Sequence, residues 1–478
     1  MSARGIVAWG SYLPRRRLPR QVIAEALGWT APALRGKGER TIAAWDEDAL
    51  TMAVEAARHC VRDGGSPPTS VWLASTTLPF VDRDNAAVLV DALNLPAETR
   101  TLDATASQRA GSSALAEALL AGGDTLVIAS DCREARPGSP LEMQVGHGAA
   151  AMRVGEAASA AAEFLGHRTA SADLVDHYRA RGQRFDYSVE DRWVRDEGFF
   201  KLIPPVVQAL LDEQGLAGAD IGQAIFPCPA RVAQRLAKTL GIDPDRLADD
   251  LSGPCGHTGT AQPLLLLARA LEQAEPGQLL LLVGFGQGVD ALLLRTTERI
   301  LNASPLVTVD SQLAAGRQET SYLRYLAQQG LVPLDRGNRA EFDNRTALTA
   351  LYRNRDRITG FSGGRCRACG MLQYPRARMC VNPECRALDT QDAVSLAGVR
   401  GRIKSFTEDW LAASIDPPLQ YGTVELDGGA QVFLEFTDCD PGSLAIGQPV
   451  EMRFRIKDVD ERRHFTRYFW KPAPVEES

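Results

Sequence analysis

The sequence predicts an α/β protein whose first 299 residues form a duplicated, layered fold, followed by a rubredoxin-like zinc ribbon and a small β-barrel of OB type. Three observations carry this. Apolar strands alternate with helical patterns up to residue 299. One helix–turn–strand–loop–strand unit occurs twice. Two close pairs of cysteines then precede a run of five short strands. The length of 478 residues suits two to four domains at about 100–200 residues each.

Gly5–Trp9 is a short apolar strand and Asp48–Cys60 a helix. Val71–Ser75 and Thr125–Ser130 are apolar runs bounded by turn residues, the mark of buried strands. Gly111–Leu120 is rich in Ala and Leu, and Leu202–Glu213 and Pro263–Gln273 space their apolar residues at helical intervals. The repeat pairs Gly122–Ser130, followed by Ala149–Val154, with Pro276–Gly284, followed by Asp290–Arg295. Such alternation implies sheets covered by helices. Residues 300–360 lose the strand pattern and read as a helical linker, with helices at Glu319–Gln328 and Arg345–Asp356. Strand-like alternation resumes at Ala397–Phe406, Tyr421–Leu426, Gln431–Phe436, Val450–Arg455 and Phe465–Trp470. Five strands within residues 396–478 fit a small barrel.

Composition excludes several classes. A hydrophobic fraction of 45% and a charged fraction of 24% are those of a globular protein. A net charge of −7 argues against wholesale binding to nucleic acid or anionic membrane. The longest apolar runs, such as Leu279–Phe285, are too short to span a bilayer. The N-terminus has no charged start followed by a long apolar stretch, and nine cysteines are an odd number for a disulfide framework. A cytoplasmic location is expected.

Cys366, Cys369, Cys380 and Cys385 are the strongest chemical signal. Ten residues separate the two pairs, which suits four thiolates around a tetrahedral zinc ion. Four sulfurs close the coordination sphere, so the expected role is structural, in a ribbon over residues 361–395. The alternative is free thiols or disulfides, and iron is the other metal that an S4 site accepts.

Ribbon and barrel together resemble the acyl-CoA-associated OB-fold proteins with a zinc ribbon, the domain of unknown function 35 type. The resemblance rests on the four cysteines, Pro375-Arg376, Gly398–Gly401, Phe436–Pro441 and Gly447–Val450. It implies an accessory role in closing over the arm of coenzyme A or bridging acyl-handling subunits. Arg365 and Arg376 are then the candidate contacts to CoA phosphates, because arginine forks match phosphate oxygens. The bland alternative is a solvated basic face. A zinc-ribbon nucleic-acid binder would interleave aromatics with the basic residues, and only Phe361 and Tyr374 lie close by.

Residues 3–297 resemble the hydroxymethylglutaryl-CoA synthases and ketoacyl synthase III enzymes of the thiolase superfamily. The match runs through Gly5–Val7, Gly10–Pro14, Arg136–Glu142, Gly146–Ala151, Phe199–Lys201, Gly256–Ala261 and Gly284–Gly288. It implies a duplicated five-layer thiolase-like fold, a homodimer, and an acyl-CoA or acyl-carrier-protein substrate. In that family a Cys at a helix N-terminus is acylated, and a His with an Asn or second His stabilises the enolate. Here Gln108 stands at the nucleophile's place, Pro227 where the His falls, and His257 where the Asn falls. A carboxamide forms no acyl-enzyme.

The expected site is therefore Gln108, His257 and Cys255, the last being the best placed of the remaining thiols Cys132, Cys228 and Cys255. Each of these reads first as a buried structural cysteine, since Cys is among the most buried residue types. His147 and Glu142 read as loop residues. Two functions remain open. One is decarboxylase- or aldolase-like chemistry without an acyl-enzyme. The other is a non-catalytic scaffold that presents CoA substrates to a separate thiolase subunit.

Overall fold

The computed structural model describes residues 3–61, 65–335 and 346–475. The chain divides into two compact units. The first comprises Met1–Ala43, Asp48–Leu89 and Pro96–Tyr322. The second comprises Ala44–Glu47, Val90–Leu95 and Leu323–Ser478.

The first unit is built on one nine-stranded sheet. Its order is Gln223–Ile225, Leu279–Phe285, Gly288–Thr296, Ala162–Ser171, Arg4–Tyr12, Gly148–Glu156, Thr125–Asp131, Ser70–Ala74 and Arg100–Ala104. The duplication is visible in the pairing. Arg4–Tyr12 runs antiparallel to Gly148–Glu156, which runs antiparallel to Thr125–Asp131, which runs parallel to Ser70–Ala74. The second half repeats this order: Ala162–Ser171, Gly288–Thr296, Leu279–Phe285 and Gln223–Ile225, with the same directions. The halves join where Gly5 and Ile6 pair antiparallel with Glu163 and Ala162. The first half adds Arg100–Ala104 as a fifth, parallel strand. Its counterpart is reduced to a single parallel bridge, Ala224 to Leu247.

Strand alternation explains the layers. Leu280 and Leu282 point into a central core with Leu115, Leu119, Leu264 and Leu267. Their neighbours Leu281 and Val283 point the other way, onto Val207, Leu210 and Leu236. A strand buried on both faces needs apolar residues at every position, which is why Leu279–Phe285 is a continuous apolar run. The helices Ala110–Ala121 and Gln262–Gln273 supply the central layer, and Phe200–Gln214 and Ala230–Leu240 an outer one. Ala49–Cys60 covers the first half. It starts at a capping box in which Asp48 accepts from the Thr51 amide at 2.9 Å and Thr51 accepts from the Asp48 amide at 2.8 Å.

The segment expected to be a linker is more structured than its sequence suggests. Up to Tyr322 it belongs to the first unit. Gln312 accepts from the Leu13 amide at 2.8 Å and donates to Ser11, and Tyr322 donates to the Glu142 carboxylate at 2.9 Å. These polar side chains lack apolar periodicity but satisfy buried groups. The helices beyond are Tyr322–Gln328, Leu348–Arg353 and Arg355–Ile358. Residue 345, the start of the second expected helix, lies outside the described residues.

In the second unit a three-stranded ribbon, Leu372–Gln373, Ser362–Cys366 and Gln391–Ser395, precedes a five-stranded antiparallel sheet. That sheet runs Gln431–Glu435, Leu419–Leu426, Gly401–Asp409, Pro449–Asp460 and Phe465–Pro474. Its two end strands approach one another, and the Thr437 amide donates to Pro472 at 3.0 Å, which curls the sheet into a barrel. Phe361, Phe454 and Trp470 fill the core shared by ribbon and barrel.

Candidate functional site

Gln108 lies in the turn that opens the Ala110–Ala121 helix. Ala106, two residues earlier, has φ of +75°, a left-handed conformation unfavourable for a residue with a Cβ. The turn is held from the second half of the fold. Ser107 donates to the Gly286 carbonyl at 2.9 Å and accepts from the Arg109 amide at 3.2 Å. A Cβ on Gly286 would stand 2.8 Å from the Ser107 hydroxyl, so only glycine allows this approach.

The Gln108 carboxamide is half-buried and faces Arg133 and His177. With its oxygen turned toward them, it accepts from Arg133 at 2.7 and 3.2 Å and from His177 Nε2 at 3.0 Å. This orientation satisfies three donors and leaves the carboxamide NH2 directed away from them. Arg133 is fixed in turn by Asp186, to which it donates through Nε at 3.0 Å and through a second guanidinium nitrogen. Asp186 also accepts from Arg179 at 3.2 Å.

His177 stands on a short hairpin, His177–Tyr178 paired with Tyr187–Ser188. Its Nδ1 lies 3.0 Å from Asp176 Oδ1. Burial raises the Asp176 carboxyl, but the hydrogen bonds and charge of His177 outweigh it and hold that carboxyl below the ordinary range.

His257 shares these neighbours, since the charges of Arg133 and His177 both act on it. Burial first, and Arg133 second, push its pKa down to about 4, so the ring is neutral at neutral pH. Its Nδ1 accepts from the Gly259 amide at 3.1 Å, and the ring also bonds to the Pro227 backbone. The main chain thus engages both sides of the imidazole. The loop that carries it is anchored by Asp131, which accepts from Ser75, Thr76 and Thr77 and from the Thr260 amide at 2.7 Å. Gly259 has φ of +61°, and a Cβ there would stand 2.3 Å from Asp131 Oδ2.

Cys255 is placed elsewhere. It is fully buried, its sulfur lies 3.4 Å from the Thr41 hydroxyl, and the charges nearest it are Arg17 and Arg20. Burial pushes the thiol up, and does the same at Cys60 and Cys228. Cys132 is half-buried, with its sulfur 3.4 Å from His147 Nδ1. That nitrogen already accepts from the Ala43 amide at 2.8 Å, and His147 Nε2 lies 3.0 Å from the Arg133 carbonyl. Glu142 anchors its loop, accepting from the Gly138 amide at 2.7 Å.

The structure brings Gln108 and His257 together through shared partners, and adds His177, Asp176 and Asp186, to which the sequence does not point. They lie in a polar stretch, residues 172–190, with no apolar period to place it on the fold. The one available signal was that His177 is among only six histidines in the chain.

In the second unit the sulfurs of Cys366, Cys369, Cys380 and Cys385 all lie within 4.8 Å of one another. Cys366 and Cys385 are 3.9 Å apart, and Cys369 and Cys380 3.6 Å. Four sulfurs about 2.3 Å from a central zinc would stand about 3.8 Å apart, so the donor set fits a tetrahedral ion. Thr390 Oγ1, 3.2 Å from the Cys366 sulfur, can donate to a thiolate there. Arg365 and Arg376 are exposed on the ribbon, and among the described residues neither has an ion-pair partner. Arg376 lies over Gly364, whereas Arg365 is the next residue on that strand and points to the opposite face.

Comparisons with known proteins agree with this architecture. Residues 211–295 match the family described as the C-terminal part of 3-oxoacyl-[acyl-carrier-protein] synthase III. Residues 393–455 match that described as the ChsH2 C-terminal OB-fold domain. A hydroxymethylglutaryl-CoA synthase of Aeropyrum pernix is 32% identical over 343 residues, covering 69% of this chain and 95% of that protein. One of Caldivirga maquilingensis is 29% identical, covering 70% of this chain and 100% of that protein. Among solved structures, MvaS in complex with 3-hydroxy-3-methylglutaryl coenzyme A superposes with a TM-score of 0.60 at 19% identity, covering 71% of this chain and 95% of its own. The 3-oxoacyl synthase III of Pseudomonas aeruginosa gives 0.54 at 22%, covering 62% and 99%. The chain has a thiolase-superfamily domain fused to an OB-fold domain. Within that superfamily it belongs to the hydroxymethylglutaryl-CoA synthase family.

Proposed function

We propose that this protein acts on acyl-CoA or acyl-carrier thioesters, making or breaking a carbon–carbon bond without an acyl-enzyme, in the manner of a decarboxylase or aldolase. The observation that carries this reading is the Gln108 carboxamide, clamped through its oxygen by Arg133 and His177. Its NH2 is then a fixed hydrogen-bond donor for a thioester oxygen that gains negative charge as an enolate forms. Nothing at residue 108 can be acylated. His257, neutral and bonded to the main chain, keeps the loop beside the site in place. Cys255 has a structural role in this reading, because it is buried against Thr41.

The four ribbon cysteines hold zinc, a structural ion that ties the two knuckles together. Arg365 and Arg376 are candidate contacts for CoA phosphates. On this reading the protein is cytoplasmic and pairs through the free edge of Arg100–Ala104, the last strand of the sheet, where Leu102 is 47% exposed.

A scaffold role beside a separate thiolase is the second reading. Pro227 and the main-chain-bonded His257 favour it, because neither supplies the mobile proton that a condensing site uses.

The experiment is turnover of malonyl-CoA and of aldol-type acyl-CoAs by the purified chain. Gln108→Ala should lower turnover about 10²–10³-fold, the range for one lost oxyanion donor. Activity that appears only with an added thiolase would favour the scaffold.

A further inference from the structure

Resting on the decarboxylase-like reading above, we infer that His177, backed by Asp176, is the acid that protonates the carbon of the enolate. The residue belongs to none of the three segments, at Gln108, Pro227 and His257, from which the family resemblance draws its catalytic groups.

The geometry gives His177 a proton and a direction. Asp176 Oδ1 stands 3.0 Å from Nδ1, and the Gln108 oxygen accepts from Nε2 at 3.0 Å. Nε2 therefore donates to Gln108, and the Asp176 carboxylate stands behind the ring at Nδ1 and fixes its orientation. Arg133, His257 and Asp176 are the titratable or charged groups that face it. The side chains of His177 and Asp176 are 17% and 12% exposed, so the pair is sheltered but reachable from solvent.

His257 is less suited to the task. Its Nδ1 accepts from the Gly259 amide and so carries no proton, and the ring's other bond is to the Pro227 main chain, whereas the Nε2 proton of His177 faces the Gln108 side chain. A proton donor must be within hydrogen-bond reach of the reacting atom, and His177 is the imidazole that touches the clamped carboxamide.

The step balances without a co-reactant. In a malonyl thioester the bond between the α-carbon and the carboxylate breaks, and carbon dioxide leaves. The bonding pair moves into the enolate, whose oxygen carries the charge beside the Gln108 NH2. The Nε2 proton then passes to the α-carbon and forms the new C–H bond, while the pair on oxygen returns to the carbonyl. The imidazole is left neutral on Nε2, still bonded to Asp176 through Nδ1, and takes a proton back from solvent.

The test uses the full chain with malonyl-CoA. His177→Ala should slow formation of acetyl-CoA about 10²–10⁴-fold, the usual contribution of a general acid. Free imidazole should restore part of the rate, and the affinity for CoA itself should be unchanged. Asp176→Asn should lower the rate less and should not respond to imidazole. A merely structural role for His177 would give no imidazole rescue, and that result overturns the inference. So does a His177→Ala protein that keeps the wild-type rate. Wild-type protein that decarboxylates nothing overturns the underlying reading, and this inference with it, whereas active wild type with an unaffected variant removes this inference alone.

Discussion

Gln108 sits in a turn whose shape is fixed by its neighbours rather than by its own side chain. The strained Ala106, the Ser107–Gly286 bond and the helix start are arranged as for a group presented to a ligand. The group presented is a carboxamide, whose orientation Arg133 and His177 dictate. The neighbouring histidines lead to a stability prediction. Burial and Arg133 bring His257 down to about 4, and burial and Arg40 bring His147 to about 3. An unfolded histidine titrates near 6.5. Below that value the unfolded chain binds protons that these two folded residues do not, so their contribution is complete above pH 6.5 and declines as pH falls toward 4 and then 3. Urea midpoints measured from pH 8 to pH 4 should fall on the acid side. His147→Gln should be less stable at pH 7, because His147 bridges Ala43 and Arg133, yet show a shallower acid slope. Equal slopes for the two proteins would contradict the assignment.

At the scale of elements, most of the fold was legible because periodicity reports burial. Val71–Ser75 in the sequence became Ser70–Ala74, and Pro263–Gln273 became Gln262–Gln273. At Ala397–Phe406 the strand begins only at Gly401. Ala397–Arg400 looks strand-like but turns, with the Val399 amide donating to Leu396 at 3.0 Å. The ribbon was legible for a different reason, since ligand spacing is a local constraint. Its three strands are short, and Cys366, Cys369, Cys380 and Cys385 link its parts. Metal binding and folding of such a module are coupled. We expect one zinc ion per chain by elemental analysis. A strong chelator, or Cys369→Ser, should release it and lower the melting temperature of the second unit. An unchanged melt after complete metal removal would show that the ion contributes nothing to the fold.

For the whole molecule, the edge of the nine-stranded sheet is the feature with a measurable consequence. Arg100–Ala104 has a paired neighbour on one side only, and Leu102 is an apolar residue on that edge. An exposed edge with unpaired backbone groups is a template for another strand. Sedimentation should give a dimer for the wild type and a monomer for Leu102→Arg. A wild-type monomer at micromolar concentration would rule out the proposed pairing. The division into units is also a property of the whole chain. Ala44–Glu47 belongs with the second unit, where Lys471 and Thr437 each donate to Asp46 at 3.0 Å and Arg455 pairs with Glu47 at 3.2 Å. Val90–Leu95 does likewise, with Asn94 donating to the Gly360 carbonyl at 2.7 Å.

The sequence by itself determined the layered α/β class, the duplication, the ribbon and the barrel. Each of these is written in local patterns: apolar runs, a repeated unit, cysteine spacing and short alternating strands. The resemblance of their flanking motifs to one family's also pointed to Gln108 and His257 as candidates for one site. Only the tertiary structure decided which groups surround them. The partners of Gln108 lie 25 residues away at Arg133 and 69 residues away at His177 in the numbering, and no periodic pattern links such positions. Their meeting follows from how the strand that ends at Asp131 and the His177 hairpin are packed. The neutral state of His257 and the burial of Cys255 were decided in the same way, because desolvation and nearby charge depend on where the rest of the chain goes.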